Sequence, residues 1–144
     1  MLIVIDEYTR KALAIHCAPS IRGEDVVEVL ARLFAAHGVP EHIRSDNGPE
    51  FVAAVVQRFL KTAGVARLYI KPASPCENGY CESFNGKLWD DPLDRELFTT
   101  LAKAKGLTKV FGDEHNTIRP HSSQGDITPA EFSATLLAAS STQL

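Results

Sequence analysis

Two acidic residues in this chain stand in settings where a carboxylate can do chemistry. Asp46 lies in RSDNGPEF, directly after a short apolar run, and Glu82 lies in PCENGYCESFNGKL. Asp-Asn-Gly is a favoured turn sequence, so Asp46 read by itself is a polar turn. A carboxylate at a strand end is also a good oxygen ligand for a hard divalent cation, which takes one or two carboxylates plus water and phosphate oxygens. Two such ions about 4 Å apart can activate a nucleophile and stabilise a leaving oxygen in phosphoryl transfer. Glu82 follows Asp46 after 35 intervening residues, enough chain to bring a helix back beside the Asp46 strand.

The elements that must position these acids are legible. LIVI at 2–5 reads as a buried strand, DEYTR as a turn and KALAIHC at 11–17 as the returning strand of a hairpin. Val26, Val29, Leu30, Leu33 and Phe34 fall at helical spacing, with Glu24 and Asp25 in the first turn and Gly38 and Pro40 as the stop. EHIRS at 41–45 predicts a third strand ending at Asp46. The spacing then predicts a helix over 51–63, stopped by Gly64, and a fourth strand over 65–70. Two prolines make KPASPCEN at 71–78 a loop, and Asn78 suits the N-cap of a helix from Gly79 towards Leu88. A further helix is expected over 96–112, then a polar loop, HNTIRPHSSQGD, and a last helix opened by Thr128-Pro129. Strands alternating with helices after a hairpin imply a mixed sheet covered by helices, with functional groups at the carboxyl ends of strands.

Composition narrows the class without choosing a partner. At 144 residues, 44% hydrophobic and 23% charged, the chain has a single-domain length and can bury a core. No apolar run reaches the roughly 18 residues of a membrane span, and MLIVIDEYTR is not a secretory signal. Cys17, Cys76 and Cys81 form no CxxC pair and read as reduced cytosolic thiols. The net charge is −3, and even the stretch from Arg67 to Arg119 only balances eight basic against eight acidic residues. A standalone nucleic-acid binder carries a basic excess, whereas an enzyme that holds DNA locally need not.

In combination, IRSDNGPEF, PxSPxENGYxESFNGKL and NTIRPHSSxGxxTPAEF resemble the integrase catalytic core of bacterial insertion-sequence transposases, relatives of retroviral integrases. The resemblance runs from VIDEYTR to TPAEF. It implies an α/β, ribonuclease H-like mixed sheet flanked by helices over residues 1–138, with 139–144 a tail. It implies a D,D,E metal triad holding two Mg²⁺ or Mn²⁺ ions, with Asp46 the second acid and Glu82 the third. The first acid of such cores lies on a strand before VIDEYTR, so the resemblance implies a chain truncated at its N-terminus, lacking that strand and inactive or severely impaired. Asp6 matches a turn aspartate of the family rather than a ligand.

The implied partners are transposon-end and target DNA, with self-association or association with a full-length transposase, on bacterial nucleoid DNA in the cytoplasm. Asn47, Asn85 and Lys87 suit DNA contacts near the acids or plain surface solvation, and Lys71 and Arg119 suit phosphate or surface equally. Asn78 suits a substrate contact as well as a cap. His115 and His121 lack the further ligands a zinc site needs. Departures from the family pattern fall at Trp89, Pro92, Phe111, His115 and Gln124. The competing reading is a non-catalytic DNA-binding or oligomerising remnant that interferes with the full-length enzyme.

Overall fold

A computed structural model describes residues 1–70, 83, 84, 86, 87 and 100–141. The elements are β1 (Leu2–Ile5), β2 (Ala12–His16), α1 (Gly23–His37), β3 (His42–Ser45), α2 (Pro49–Val52), α3 (Ala54–Ala63), β4 (Ala66–Tyr69), α4 (Leu101–Thr117) and α5 (Pro129–Ser141), with a 3₁₀ turn at Ser122–Gln124. They fall into two compact units. One comprises residues 18–79 with Met1 and Leu2, the other residues 3–17 with 80–144.

In the first unit, β3 and β4 pair in parallel, in register from His42 with Ala66 to Ser45 with Tyr69. A parallel pair needs a crossover, and α2 and α3 supply it. The apolar stripe of α1 meets α3, burying Val26, Val29 and Leu30 with Val56 and Leu60, while Phe34 stacks on Phe59 at 5.6 Å. The acidic first turn of α1 is used directly, since Asp25 Oδ2 accepts the Arg22 N–H at 2.8 Å. Gly64 ends α3 in the left-handed region, at φ 74°.

The helix expected over 51–63 is broken at Ala53, whose ψ of 138° is extended. Packing against α1 accompanies the break: a Cβ on Gly23 would lie 2.7 Å from Ala53 Cβ and 2.8 Å from Val55 Cγ1. Gln57 Nε2 donates to the Val52 carbonyl at 2.9 Å, so a carbonyl at the break keeps a partner.

In the second unit, β1 and β2 form the expected hairpin, and Asp6 Oδ1 accepts the N–H groups of Tyr8 and Thr9, each at 2.9 Å. That is a turn role. Helix α4 lies against β2, and a Cβ on Gly112 would meet Ile15 Cδ1 at 3.1 Å. Ala12, Phe84 and Phe111 form the core there, flanked by Ile3, Ile5 and Ile15. The helix expected over 96–112 continues to Thr117 because Phe111, Gly112 and His115 are buried on its inner side. Residues 115–117 therefore belong to that helix rather than to the polar loop, while 96–99 lie outside the described residues. Thr128 and Glu131 cap α5 reciprocally: Glu131 Oε2 accepts from Thr128 N at 2.8 Å, and Thr128 Oγ1 accepts from Glu131 N at 3.3 Å. The loop expected at 71–78 is outside the described residues, and of the helix beyond it Ser83, Phe84, Gly86 and Lys87 are described as helical.

Candidate functional site

Asp46 stands at the carboxyl end of β3. The ladder closes with Ile70 N donating to Ser45 O at 3.0 Å, and the next residue turns away from the sheet. Asp46 Oδ1 accepts the Gly48 N–H at 2.9 Å, an Asx turn that leads through Pro49 into α2. A Cβ on Gly48 would lie 3.0 Å from Asp46 Oδ1 and from both carboxylate oxygens of Glu50, so glycine keeps two acids close to the turn. Asp46 is exposed, and its Oδ2 makes no hydrogen bond among the described residues. The turn is thus made through one carboxylate oxygen of an exposed side chain. A preoriented hard oxygen donor of this kind fits magnesium or manganese. Beneath it, Ser45 is buried, Arg67 reaches Ser45 Oγ at 3.4 Å, and the Arg67 guanidinium lies over the Tyr69 ring at 4.4 Å.

Of the other residues singled out from the sequence, Asn47 is exposed beside Asp46, and Lys87 is exposed in the second unit. Arg119 is half-buried, 4.0 Å from the Glu114 carboxylate and 4.9 Å above the Phe111 ring. Glu82, Lys71, Asn78 and Asn85 lie outside the described residues. Among the described residues, no group of three or more His, Cys, Asp or Glu side chains is placed to hold a metal ion.

A second cluster was not assembled by the sequence reading. Arg10, Ser83, Lys87, His115 and His121 line an open cleft with Ile5 and Phe84. His115 is 4% exposed and sits at the inner end of α4, its ring 4.7 Å from Phe84 and 4.8 Å from His121. Its Nε2 lies 2.9 Å from the Arg10 carbonyl, which accepts a hydrogen there and fixes the neutral tautomer. Burial holds the His115 pKa below its ordinary value, more than the bond to Arg10 raises it, with His121, Lys87 and Arg119 lowering it further. Burial also lowers His121, helped by Lys87 and Arg10. The signal was present in VIDEYTR and RPHSS, but linear spacing does not reveal that Arg10 and His121 share a cleft.

The family model described as Integrase core domain matches residues 1–75, and a second Integrase core domain model matches residues 63–129. The chain is 39% identical over 133 residues to the insertion element IS476 uncharacterized 39.2 kDa protein of Xanthomonas euvesicatoria, covering 92% of this chain and 38% of that protein. It is 36% identical to the insertion element IS407 uncharacterized 31.7 kDa protein of Burkholderia multivorans, covering 92% of this chain and 48% of that one. The chain therefore spans less than half the length of these relatives. Among solved structures, the catalytic core domain of BIV integrase matches with a TM-score of 0.70 at 20% identity, over 96% of this chain and 87% of that one. The HTLV-2 integrase catalytic core domain in complex with magnesium, in a dimeric form, matches with a TM-score of 0.68 at 16% identity, over 90% and 81% of the two chains. The fold is that of these cores, ribonuclease H-like, as the motifs imply.

Proposed function

The chain belongs to the integrase core domain family, and on that premise we propose that it is the catalytic core, over residues 1–138, of an insertion-sequence transposase. The reaction is cleavage of phosphodiesters at element ends and joining of the freed 3′ hydroxyls to target DNA. The observation that carries this reading is the exposed Asp46 carboxylate at a strand end, one oxygen held by Gly48 and the other open.

In this proposal Asp46 and Glu82 hold divalent metal, two Mg²⁺ or Mn²⁺ ions in a complete site, and do not attack the phosphate themselves. Bound ions of this kind activate the attacking oxygen and stabilise the leaving one. The Asx turn restricts Asp46 to one orientation before any ligand arrives. Asn47, Lys71, Asn78, Asn85, Lys87 and Arg119 are the proposed contacts to DNA, acting in a self-associated form or beside a longer transposase on nucleoid DNA in the cytoplasm. The insertion-element relatives support the substrate class, and the dimeric magnesium-bound neighbour supports the metal and the self-association.

No acid within residues 1–144 matches the first of the family's three, so this segment alone is proposed to be inactive or severely impaired. A chimera tests the assignment: residues 1–144 replace the matching segment of the 39%-identical IS476 protein, whose remaining sequence is retained. Element transposition that is lost in Asp46→Asn and Glu82→Gln chimeras supports the reading. A chimera that binds DNA in a salt-sensitive way yet never transposes, beside an active parent, supports the non-catalytic alternative.

A further inference from the structure

In the first unit β4 pairs with β3 on one side, and among the described residues no strand pairs with it on the other. The register fixes which groups face that open side. Ala66 N donates to the Glu41 carbonyl at 2.9 Å and Ile70 N to the Ser45 carbonyl at 3.0 Å, so residues 66, 68 and 70 turn their backbone groups towards β3. The N–H and C=O groups of Arg67 and Tyr69 therefore point away from β3, and none of these four makes a hydrogen bond among the described residues. The edge is also apolar on both faces: Leu68 is 40% exposed on one and Tyr69 50% exposed on the other. Soluble proteins blunt such edges with lysine, proline or a bulge, and the Ala66–Tyr69 strand has none of these. Its one charge, Arg67, is turned along its own sheet, with Nη2 3.4 Å from Ser45 Oγ and the guanidinium 4.4 Å above the Tyr69 ring.

We propose that the outer edge of β4 pairs with β4 of a second copy of this chain, antiparallel and centred on Leu68. In that register the edge is complementary to itself. Arg67 falls opposite Tyr69 of the second copy, and the two exchange both of their outward backbone hydrogen bonds; the two-fold axis repeats the pair. Leu68 meets Leu68 of the second copy at the non-hydrogen-bonded position, where Cα atoms approach to about 4.5 Å. On the other face the match is electrostatic. Each tyrosine ring already holds the guanidinium of its own strand and gains that of the second copy across the axis, so cations meet ring faces. A slip of register that set Arg67 against Arg67 would bring like charges together. The overlap is short of the roughly 1,200 Å² that stable interfaces bury, so the dimer is weak. This names a surface for the self-association included in the function proposed above and rests on that reading only there; the open edge depends on neither metal nor DNA.

The test is sedimentation equilibrium of the full chain at concentrations up to about 1 mM, where millimolar dissociation constants are still measurable. The expected result is a reversible monomer–dimer equilibrium. Leu68→Lys and Leu68→Glu each place like charges at the point of closest approach and should weaken the dimer at least about tenfold. Leu68 is exposed and its backbone bonds to β3 do not involve its side chain, so both variants keep the fold, which dispersed amide spectra check. An equimolar mixture of the two variants brings opposite charges together and should dimerise again. Tyr69→Pro deletes one outward N–H at an edge position where proline is tolerated, and should weaken the dimer independently. A wild-type chain that stays monomeric, assembly beyond a dimer, variants that dimerise like the wild type, or a mixture that stays monomeric would each overturn the proposal. These measurements use neither metal nor DNA, so their failure leaves the roles of Asp46 and Glu82 untouched.

Discussion

The side-chain amide of Asn116 closes on both backbone groups of Ala12: Oδ1 accepts the Ala12 N–H at 2.8 Å, and Nδ2 donates to the Ala12 carbonyl at 2.9 Å. One asparagine near the end of α4 thus does for β2 what a neighbouring strand would do, and it joins residues more than a hundred positions apart. Asn116→Ala removes both partners from part-buried backbone and should destabilise the chain by about 1–3 kcal/mol. Urea unfolding gives the magnitude, and faster exchange of the Ala12 amide hydrogen locates it. A loss below about 0.3 kcal/mol, within the noise of a surface substitution, would show that water replaces the amide freely.

Gly23 begins α1 where the Ala53–Val55 segment presses closest. Its missing Cβ would meet two side-chain carbons at 2.7 and 2.8 Å, one of them the Ala53 Cβ, which is fixed to the backbone. Gly23→Ala should cost about 1–3 kcal/mol as an overpacked contact, despite the better helix propensity of alanine. Chemical denaturation decides it, and an unchanged or raised stability would mean that the contact relaxes easily.

The stability of the second unit should depend on pH through His115. Burial holds its folded pKa below the ordinary value of 6.5, so the unfolded chain takes up this proton first as the pH falls. Stability is therefore level above that value, declines as the pH drops through 6.5, and levels again below the lowered folded pKa. His121 shifts in the same direction and adds to the slope. Unfolding midpoints measured across this range should fall with acidification, and His115→Phe should flatten the dependence; an identical slope in that variant would contradict the assignment.

The regular elements were readable because their signals are local. The spacing of Val26, Val29 and Leu30, the stop at Gly64 and the opening of the last helix at Thr128-Pro129 each need only a few neighbouring residues, and all appear where expected. The break at Ala53 was not readable, since the close contact associated with it comes from Gly23, thirty positions earlier. The reach of α4 to Thr117 was missed for a similar reason: His115 and Asn116 are polar by type, yet their partners are backbone groups of the distant hairpin. At the candidate site the sequence posed turn and ligand as alternatives for Asp46; the geometry shows the turn, made through Oδ1. The basic cleft is a product of tertiary proximity alone, drawing Arg10 and His121 from motifs at opposite ends of the chain.

The proposed assignment of Asp46 and Glu82 as metal ligands is tested by paramagnetic broadening with Mn²⁺, which reports even weak binding. At substoichiometric Mn²⁺, the amide resonances around Asp46 and those around Glu82 should broaden together, and Asp46→Asn should abolish both effects. Asparagine can still accept the Gly48 N–H, so the turn survives while the charge is lost. Broadening that reaches only one of the two acids, or that persists in Asp46→Asn, would contradict the account.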